Sequence, residues 1–359
     1  MTDREPAVQV LSESPGRIAR ETLAHDRRTW IASALLLFIV VLTLAAPLYA
    51  TYISKTDPFV SSINGTTIIN GEEVSVLQQS TEGLGIGVNP IGPTWRIGSY
   101  ALGADNQGRD VAARLLYGGT NTLLIGFTAG FLTITIGTLL GVIAGYSGKF
   151  VDSFISRILD VIWAFPVYLL SISLSVVLLT SGFKWGPISL EAGSLYLPIF
   201  IIGLVYVPYV ARPIRGQVIA LREREFVKAA VGSGAKNSQI IFREILPNII
   251  PSGIVFIPMM VALAMLTESA LSFLSIGVQP PDASWGTIIK DGLGLLYTRP
   301  LVALLPGLFI VATAVSLNLL GDAVRDAVVD GHAAVQSRRP APCRRGAAAA
   351  CQPRRAAQR

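Results

Sequence analysis

The chain has 359 residues, 51% of them hydrophobic and only 14% charged, with 29 Lys+Arg against 23 Asp+Glu. A soluble globular domain carries roughly 25% charged residues. The low charge, with a mean hydropathy of +0.55, therefore excludes an ordinary water-soluble fold. The two histidines, His25 and His332, and the two cysteines, Cys343 and Cys351, all fall in polar terminal segments. That excludes a histidine site buried in an apolar core and a disulfide framework through the body. The composition is that of a membrane protein.

Six uncharged apolar stretches are long enough to cross a bilayer as helices, which takes about 20 residues. They are 30–50, 120–146, 161–182, 192–211, 248–267 and 301–321. The fourth carries Pro198 and Pro208, which predicts a kinked or shortened helix; leaving it out gives a five-span alternative with the termini on opposite sides. The first follows Arg17, Arg20, Arg27 and Arg28, as a secretory signal would. Its apolar length exceeds the about 7–15 residues of a signal core, so it reads as an uncleaved span.

With six spans, the segments 1–29, 147–160, 212–247 and 322–359 hold 22 of the basic residues and the opposite set holds 7. The positive-inside rule then places both termini in the cytoplasm and 51–119 outside. The resulting organisation is a cytoplasmic segment 1–29, a first transmembrane helix 30–50 and an extracytoplasmic segment 51–119. A five-helix core 120–321 follows, with a cytoplasmic loop 212–247, and then a cytoplasmic tail 322–359. Within the outside segment, GTTIING (65–71) lies between turn signals at Asn64–Gly65 and Asn70–Gly71 and predicts a small hairpin. From His332 onward the tail is Ala, Arg, Pro and Gln without apolar periodicity, which predicts disorder.

The loop 212–247 reads RPIRGQVIALREREFVKAAVGSGAKNSQIIFREILP. Residues 221–231 have helical character, with Phe226, Ala229 and Ala230 on one side and Arg222, Glu225 and Lys228 on others. Gly232 and Gly234 break it, Ser238 is a suitable N-cap for a second short helix over 239–246, and Pro247 closes the segment. One reading is a basic loop held to anionic headgroups. The other is a docking element, in which Ala229 and Ala230 let another protein approach and Gly234 permits a turn that a side chain obstructs.

Glu225-x-x-x-Ala229–Ala230-x-x-x-Gly234, followed by Ile245–Leu246–Pro247, resembles the EAA loop of ABC importer permeases. The acid is one position further from the alanines than in the name-giving form, and Glu244 stands near the place of the usual histidine. LGADNQGRD (102–110) resembles that superfamily's LGTDxxGRD stretch in dipeptide and oligopeptide importers, and LSFLSIGVQPP (271–281) resembles LSFLGxGxQPP. SWG (284–286), DG (291–292) and NLLGD (318–322) with Arg325–Asp326 extend the likeness over about residues 25–330, to the second permease subunit of the OppC/DppC type. Residues 56–95 are longer than that family usually needs.

The resemblance implies an all-α polytopic fold of the type I ABC importer permease, with six spans and half of a translocation pathway for di- or oligopeptides that works by alternating access. It implies a second permease subunit as heterodimer partner, two ATPase subunits or one fused ATPase, and an extracytoplasmic substrate-binding protein. It also makes Glu225, Ala229, Ala230, Gly234, Ile245, Leu246 and Pro247 the ATPase-coupling loop. The chain has no GxxxxGK[ST] phosphate loop, so ATP and Mg would be bound by the partner ATPases; no cofactor, catalytic residue or nucleic-acid partner is expected in this chain.

Nickel, glutathione or opines are alternative cargoes within the family. From another class, an ion-coupled carrier requires charges within spans and internal repeats, and neither is present in the sequence. A membrane-embedded hydrolase requires a nucleophile–base constellation inside a span, also missing. Asp160 and Glu268, at span edges, read as a local ion pair or hydrogen bond rather than a proton relay. Trp163, Phe165 and Tyr168 read as interfacial anchors.

Overall fold

The computed structural model describes residues 24, 26–69, 71–79, 88–185 and 188–337. Helix α1 (Arg27–Leu44) starts where the Asp26 carboxylate accepts hydrogen bonds from Arg28 N (3.0 Å), an orphan amide of the first turn, and from Thr29 Oγ1 (2.8 Å). The Thr29 hydroxyl and the Arg28 amide hold this carboxyl below its ordinary pKa. The helical path continues through Ala46–Leu48 and a π-helical stretch, Tyr49–Ser54.

Helix α2 (Val111–Ser147) begins nine residues before the apolar run, because Asp110 caps it with two bonds, from Ala112 N (2.9 Å) and Ala113 N (3.2 Å). Tyr100 N also donates to Asp110, at 2.7 Å; burial nonetheless pushes the Asp110 carboxyl up.

The third apolar stretch is not one straight helix. Helix α3 (Lys149–Ala164) and α4 (Val167–Ser181) meet at 90°. Phe165, ahead of Pro166, is forced into the extended region (φ −92°, ψ 138°), and Pro166 has no amide to continue the ladder. Among the described residues, five helices are long and apolar enough to span, or six with this bent pair as one span. The fourth span joins α5 (Tyr196–Val205) to α6 (Val207–Arg222) across Tyr206, and Pro208 lies in the first turn of α6, where its missing amide costs little. Then come α7 (Glu225–Gly232), α8 (Asn237–Ile240), α9 (Leu246–Phe273), α10 (Trp285–Gly292) and α11 (Leu301–Ser337).

Helix α2 is the centre of the bundle, packed on α1, α5, α6 and α9. Its close approaches are made by glycine. A Cβ on Gly137, Gly141 or Gly145 would lie 2.7 Å from Val210 Cβ, 2.7 Å from Ala211 O and 2.6 Å from Val218 Cβ of α6. Gly126 and Gly130 do the same toward Met265 and Val261 of α9, each at 3.0 Å. In lipid, where apolar surface gains nothing by leaving water, such small-residue seams supply the dispersion contacts that hold helices together.

The helices sort the loops onto two ends. At one end α2 finishes against the 223–247 loop, Tyr146 Oη donating to Asn237 Oδ1 at 2.9 Å. At the other lie residues 55–69, 71–79 and 88–110, the segment 274–300 and the short pair β5 (Phe183–Trp185) and β6 (Ile188–Leu190). That end carries the expected hairpin: β1 (Thr66–Ile69) and β2 (Glu72–Ser75) pair antiparallel from Thr66↔Ser75 to Ile69↔Glu72. A second pair, β3 (Leu77–Gln79) with β4 (Val88–Pro90), helps cover a small core of Val76, Ile91, Tyr100 and Ala104.

Helix α11 corrects the expected disorder of the tail: it continues six residues past Gly331, through Ser337. Once a packed span has nucleated the helix, each added residue costs little, and the alanines after Gly321 are the best helix formers. Residues 338–359, with Cys343 and Cys351, lie outside the described residues, as do 1–23 and His25.

Candidate functional site: the loop between the fourth and fifth spans

Helix α6 carries the chain out of the bundle on an arginine ladder. Arg215 makes a two-pronged pair with Asp152 of α3 (2.5 and 2.7 Å), and Arg212 pairs with Asp160 while covering the Trp163 ring at 4.6 Å. Asp160 thus finds its partner on α6, not in the nearby Arg157. Trp163 also stacks on Tyr209, with centroids 4.3 Å apart, so it is part of this joint. Arg222 donates to the carbonyl of Tyr146 (3.1 Å), filling an orphan acceptor at the C-terminus of α2.

The expected helix over 221–231 is broken at Glu223–Arg224. Arg224 is extended (φ −73°, ψ 148°) and starts α7, with Glu225 in the first turn, where a negative charge suits the helix dipole. Val227 is buried and Ala230 half-buried against the main core, whereas Phe226 and Ala229 face outward. Lys228 pairs with Glu223 across the break at 3.0 Å.

Helix α7 stops in a Schellman arrangement. Ala235 N donates to Ala230 O (3.1 Å) and Gly234 N to Val231 O (3.0 Å), with Gly234 at φ +78°. No atom lies within 4 Å of a Cβ built there, so the glycine is required by the backbone and not by a neighbour.

The second loop helix is not a separate element. The N-cap is Lys236 rather than Ser238, with Lys236 N donating to Gln239 Oε1 at 3.0 Å. Helix α8 passes through a π-turn, Ile241–Ile245, directly into α9, giving one helical path from Asn237 to Phe273. The π-turn resolves what Pro247 poses. Leu246 N bonds five residues back, to Ile241 O, and the Asn248 side chain donates to Glu244 O at 2.5 Å, so a proline is accepted without ending the helix. Ile240, Ile245 and Ile249 are all buried, anchoring the turn.

Of the seven expected site residues, Glu225 and Ala229 lie exposed on α7, Gly234 on its stop, and Pro247 is exposed at the start of α9. Ala230, Ile245 and Leu246 face the chain's own core, fully or in part. What the motif missed is the surface around them: Phe226 (40% exposed), Val231 (58%) and Phe242 (68%). Val231 lines a cleft of ≈ 660 Å³ together with Tyr146, Arg222, Val227, Lys228, Asn237 and Ile241 among others. The result is an apolar platform with basic edges, backed by α2, α6 and α9.

The other motifs converge at the opposite end. Arg109 Nε lies 2.7 Å from Asp105 Oδ2, and its NH2 lies 2.9 Å from Asp291 Oδ2. Arg114 joins both acids at 3.4 and 3.2 Å, so LGADNQGRD and the Asp291–Gly292 pair form one buried charge cluster. Trp285 Nε1 donates to Leu115 O (3.0 Å) and Gly286 leaves no room for a Cβ against Ser269 O. Glu268 lies within α9, fully buried; Ser272 Oγ donates to it at 2.6 Å and in turn accepts Val278 N at 3.0 Å. The hydrogen-bond reading of Glu268 therefore holds, and no cation pairs with it among the described residues.

This architecture is that of a multi-pass helical membrane protein with an exposed apolar loop surface on one end. The chain matches the family described as binding-protein-dependent transport system inner membrane component over residues 137–331 and belongs to it. It is 39% identical over 227 residues to the dipeptide transport system permease protein DppC of Alkalihalophilus pseudofirmus, covering 63% of this chain and 70% of that one. The oligopeptide transport system permease protein OppC of Bacillus subtilis is 37% identical over 227 residues, with the same two coverages. The glutathione transport system permease protein GsiD of Pectobacterium atrosepticum is 35% identical over 230 residues, covering 64% and 72%. Among solved structures, an inward-facing MetNI methionine ABC transporter chain is similar over 60% of this chain and 96% of its own, at 20% identity and a TM-score of 0.47. The chain is an ABC permease of the OppC/DppC type.

Proposed function

We propose that the chain forms half of an inward pathway for dipeptides or oligopeptides, driven by ATPases that dock on the 223–247 platform. The observation that carries this reading is the platform itself. Phe226, Ala229, Val231 and Phe242 expose apolar surface on an element tied to three spans, which suits a protein partner better than loose contact with headgroups. The permease relatives named for dipeptide and oligopeptide transport support the cargo.

The geometry suggests how motion is passed on. A push on α7 acts on α6 through the Glu223 turn and on the continuous 37-residue path Asn237–Phe273. At about 1.5 Å per residue that path is ~55 Å long. Its far end holds Glu268 and Ser272, so the platform and the opposite face share one lever. ATP and Mg belong to the ATPases, two subunits or one fused chain; this chain carries out no chemistry. A second permease subunit and an extracytoplasmic binding protein complete the assembly. Both termini lie in the cytoplasm, as the 22-to-7 basic asymmetry indicates.

Purification of the tagged chain from native membranes tests the reading: an ATPase and a second permease are expected to copurify. Peptide uptake should stop on ATP depletion and persist when an ionophore collapses the ion gradients. The reverse pattern would assign the chain to the ion-coupled class. Uptake of glutathione, nickel or an opine in place of peptides would retain the mechanism and change the cargo.

A further inference from the structure

The end opposite the platform carries a tight loop that holds three consecutive side chains largely in the open among the described residues. Trp95 is 73% and Ile97 94% exposed, with Arg96 exposed between them. The loop is nevertheless held firmly. Trp95 sits at φ +54°, a conformation costly for a bulky side chain. It is fixed by Trp95 N donating to Ala101 O (3.2 Å) and Thr94 Oγ1 to Tyr100 O (3.1 Å).

One contact ties this loop to the end of the first span. Tyr49 Oη donates to Gly98 O at 3.3 Å. Tyr49 lies just past α1, where the apolar run 30–50 ends and a span of ordinary length meets the headgroups. Val41, Leu44, Leu48 and Tyr52, spaced by three or four residues, are 56%, 64%, 60% and 73% exposed and form one unpartnered stripe leading to that level. Trp95 and Ile97 therefore lie near the level at which that exposed apolar stripe ends, with Lys55 and Arg96 as exposed cations at the same end.

We propose that Trp95–Arg96–Ile97 is an interfacial lipid anchor. Trp95 and Ile97 rest at the glycerol level of the leaflet beside Tyr52, and Arg96 meets the phosphates. An indole with one polar edge and a guanidinium on an apolar stem are the side chains that suit that layer. The anchor pins the loop 94–101 to the membrane. The inference holds whichever face of the membrane this end occupies, and so does not depend on the proposed cargo or ATPase.

The test uses the full chain in lipid nanodiscs. Cys343→Ser and Cys351→Ser are introduced, then Ile97→Cys is labelled with an environment-sensitive fluorophore, with Val41→Cys as the deep control. The expected result is blue-shifted emission at 97, strong quenching by headgroup spin-labelled phosphatidylcholine, and little quenching by iodide. At 41, acyl-chain spin labels should quench best. Iodide quenching at 97 equal to that of the free dye would overturn the proposal. So would protection that arises only when an extracytoplasmic binding protein is added, since the loop would then be a protein-docking tip. Independently, brominated lipid should quench wild-type tryptophan emission more than that of Trp95→Phe; equal quenching would also overturn it.

Discussion

Ala229 and Ala230 are adjacent in the chain, yet the about 100° turn per helical residue puts them on different faces of α7. Ala229 is exposed, whereas Ala230 packs against the main core. A long charged side chain at the two positions should therefore fail differently. Ala229→Arg is expected to leave the thermal midpoint of the purified chain unchanged and to abolish ATPase copurification and uptake. Ala230→Arg is expected to destabilise the loop itself, by about 1–3 kcal/mol from overpacking. Full ATPase association by Ala229→Arg would remove the platform from the docking role. Gly234 gives a finer contrast, because its φ of +78° is strained for most residues while its surroundings are open. Gly234→Asn should cost little and Gly234→Val about 1–2 kcal/mol, read by proteolysis of the loop. Glu268 is the third residue-scale case. Glu268→Gln keeps an acceptor for Ser272 and is expected to be near wild type in thermal stability. Glu268→Ala, which leaves buried hydroxyls without a partner, is expected to lose about 1–3 kcal/mol.

At the scale of elements, the glycine seam of α2 governs how α6 is held, and α6 in turn carries the platform. Gly141→Leu puts a branched side chain where even a Cβ lies 2.7 Å from Ala211 O and 2.9 Å from Ile214 Cβ. It should cost about 1–3 kcal/mol or more and lower uptake even though no platform residue changes. Wild-type stability and uptake for this variant would mean that the α2–α6 contact is not a constraint. The four-residue spacing of Gly137, Gly141 and Gly145 was visible in the sequence, but an apolar run full of glycines does not say which neighbour each one meets. The bend between α3 and α4 was hidden for a similar reason. Hydropathy over 161–182 is continuous, and only the Phe165–Pro166 geometry turns it by 90°.

For the whole molecule, the two ends divide the labour. One end gathers the platform and the other gathers the charge cluster of Asp105, Arg109, Arg114 and Asp291 with the lipid-facing loop at Trp95. The extension of α11 beyond the span leads to a truncation test. Removing residues 338–359 is expected to leave insertion and uptake near wild type, measured by membrane fractionation and peptide uptake. Loss of the assembled complex would assign the tail a docking role.

The amino-acid sequence by itself determined the membrane class, the apolar runs and the uneven spread of basic residues between the loops, because those rest on composition and local spacing. The hairpin at 65–71 was legible as well, since a turn of Asn-Gly type is a local signal. Tertiary structure alone decided which residues of the 225–247 motif face outward and joined the second loop helix to the fifth span through a π-turn. It also brought 102–114 against 285–291. Those outcomes depend on partners distant in the chain. Val227 and Ala230 turn inward because the core lies beneath them, and Arg109 is buried because Asp291 arrives from 182 residues away. Burial and pairing are properties of the packed assembly of helices, and no window along one strand of sequence contains both members of such a contact.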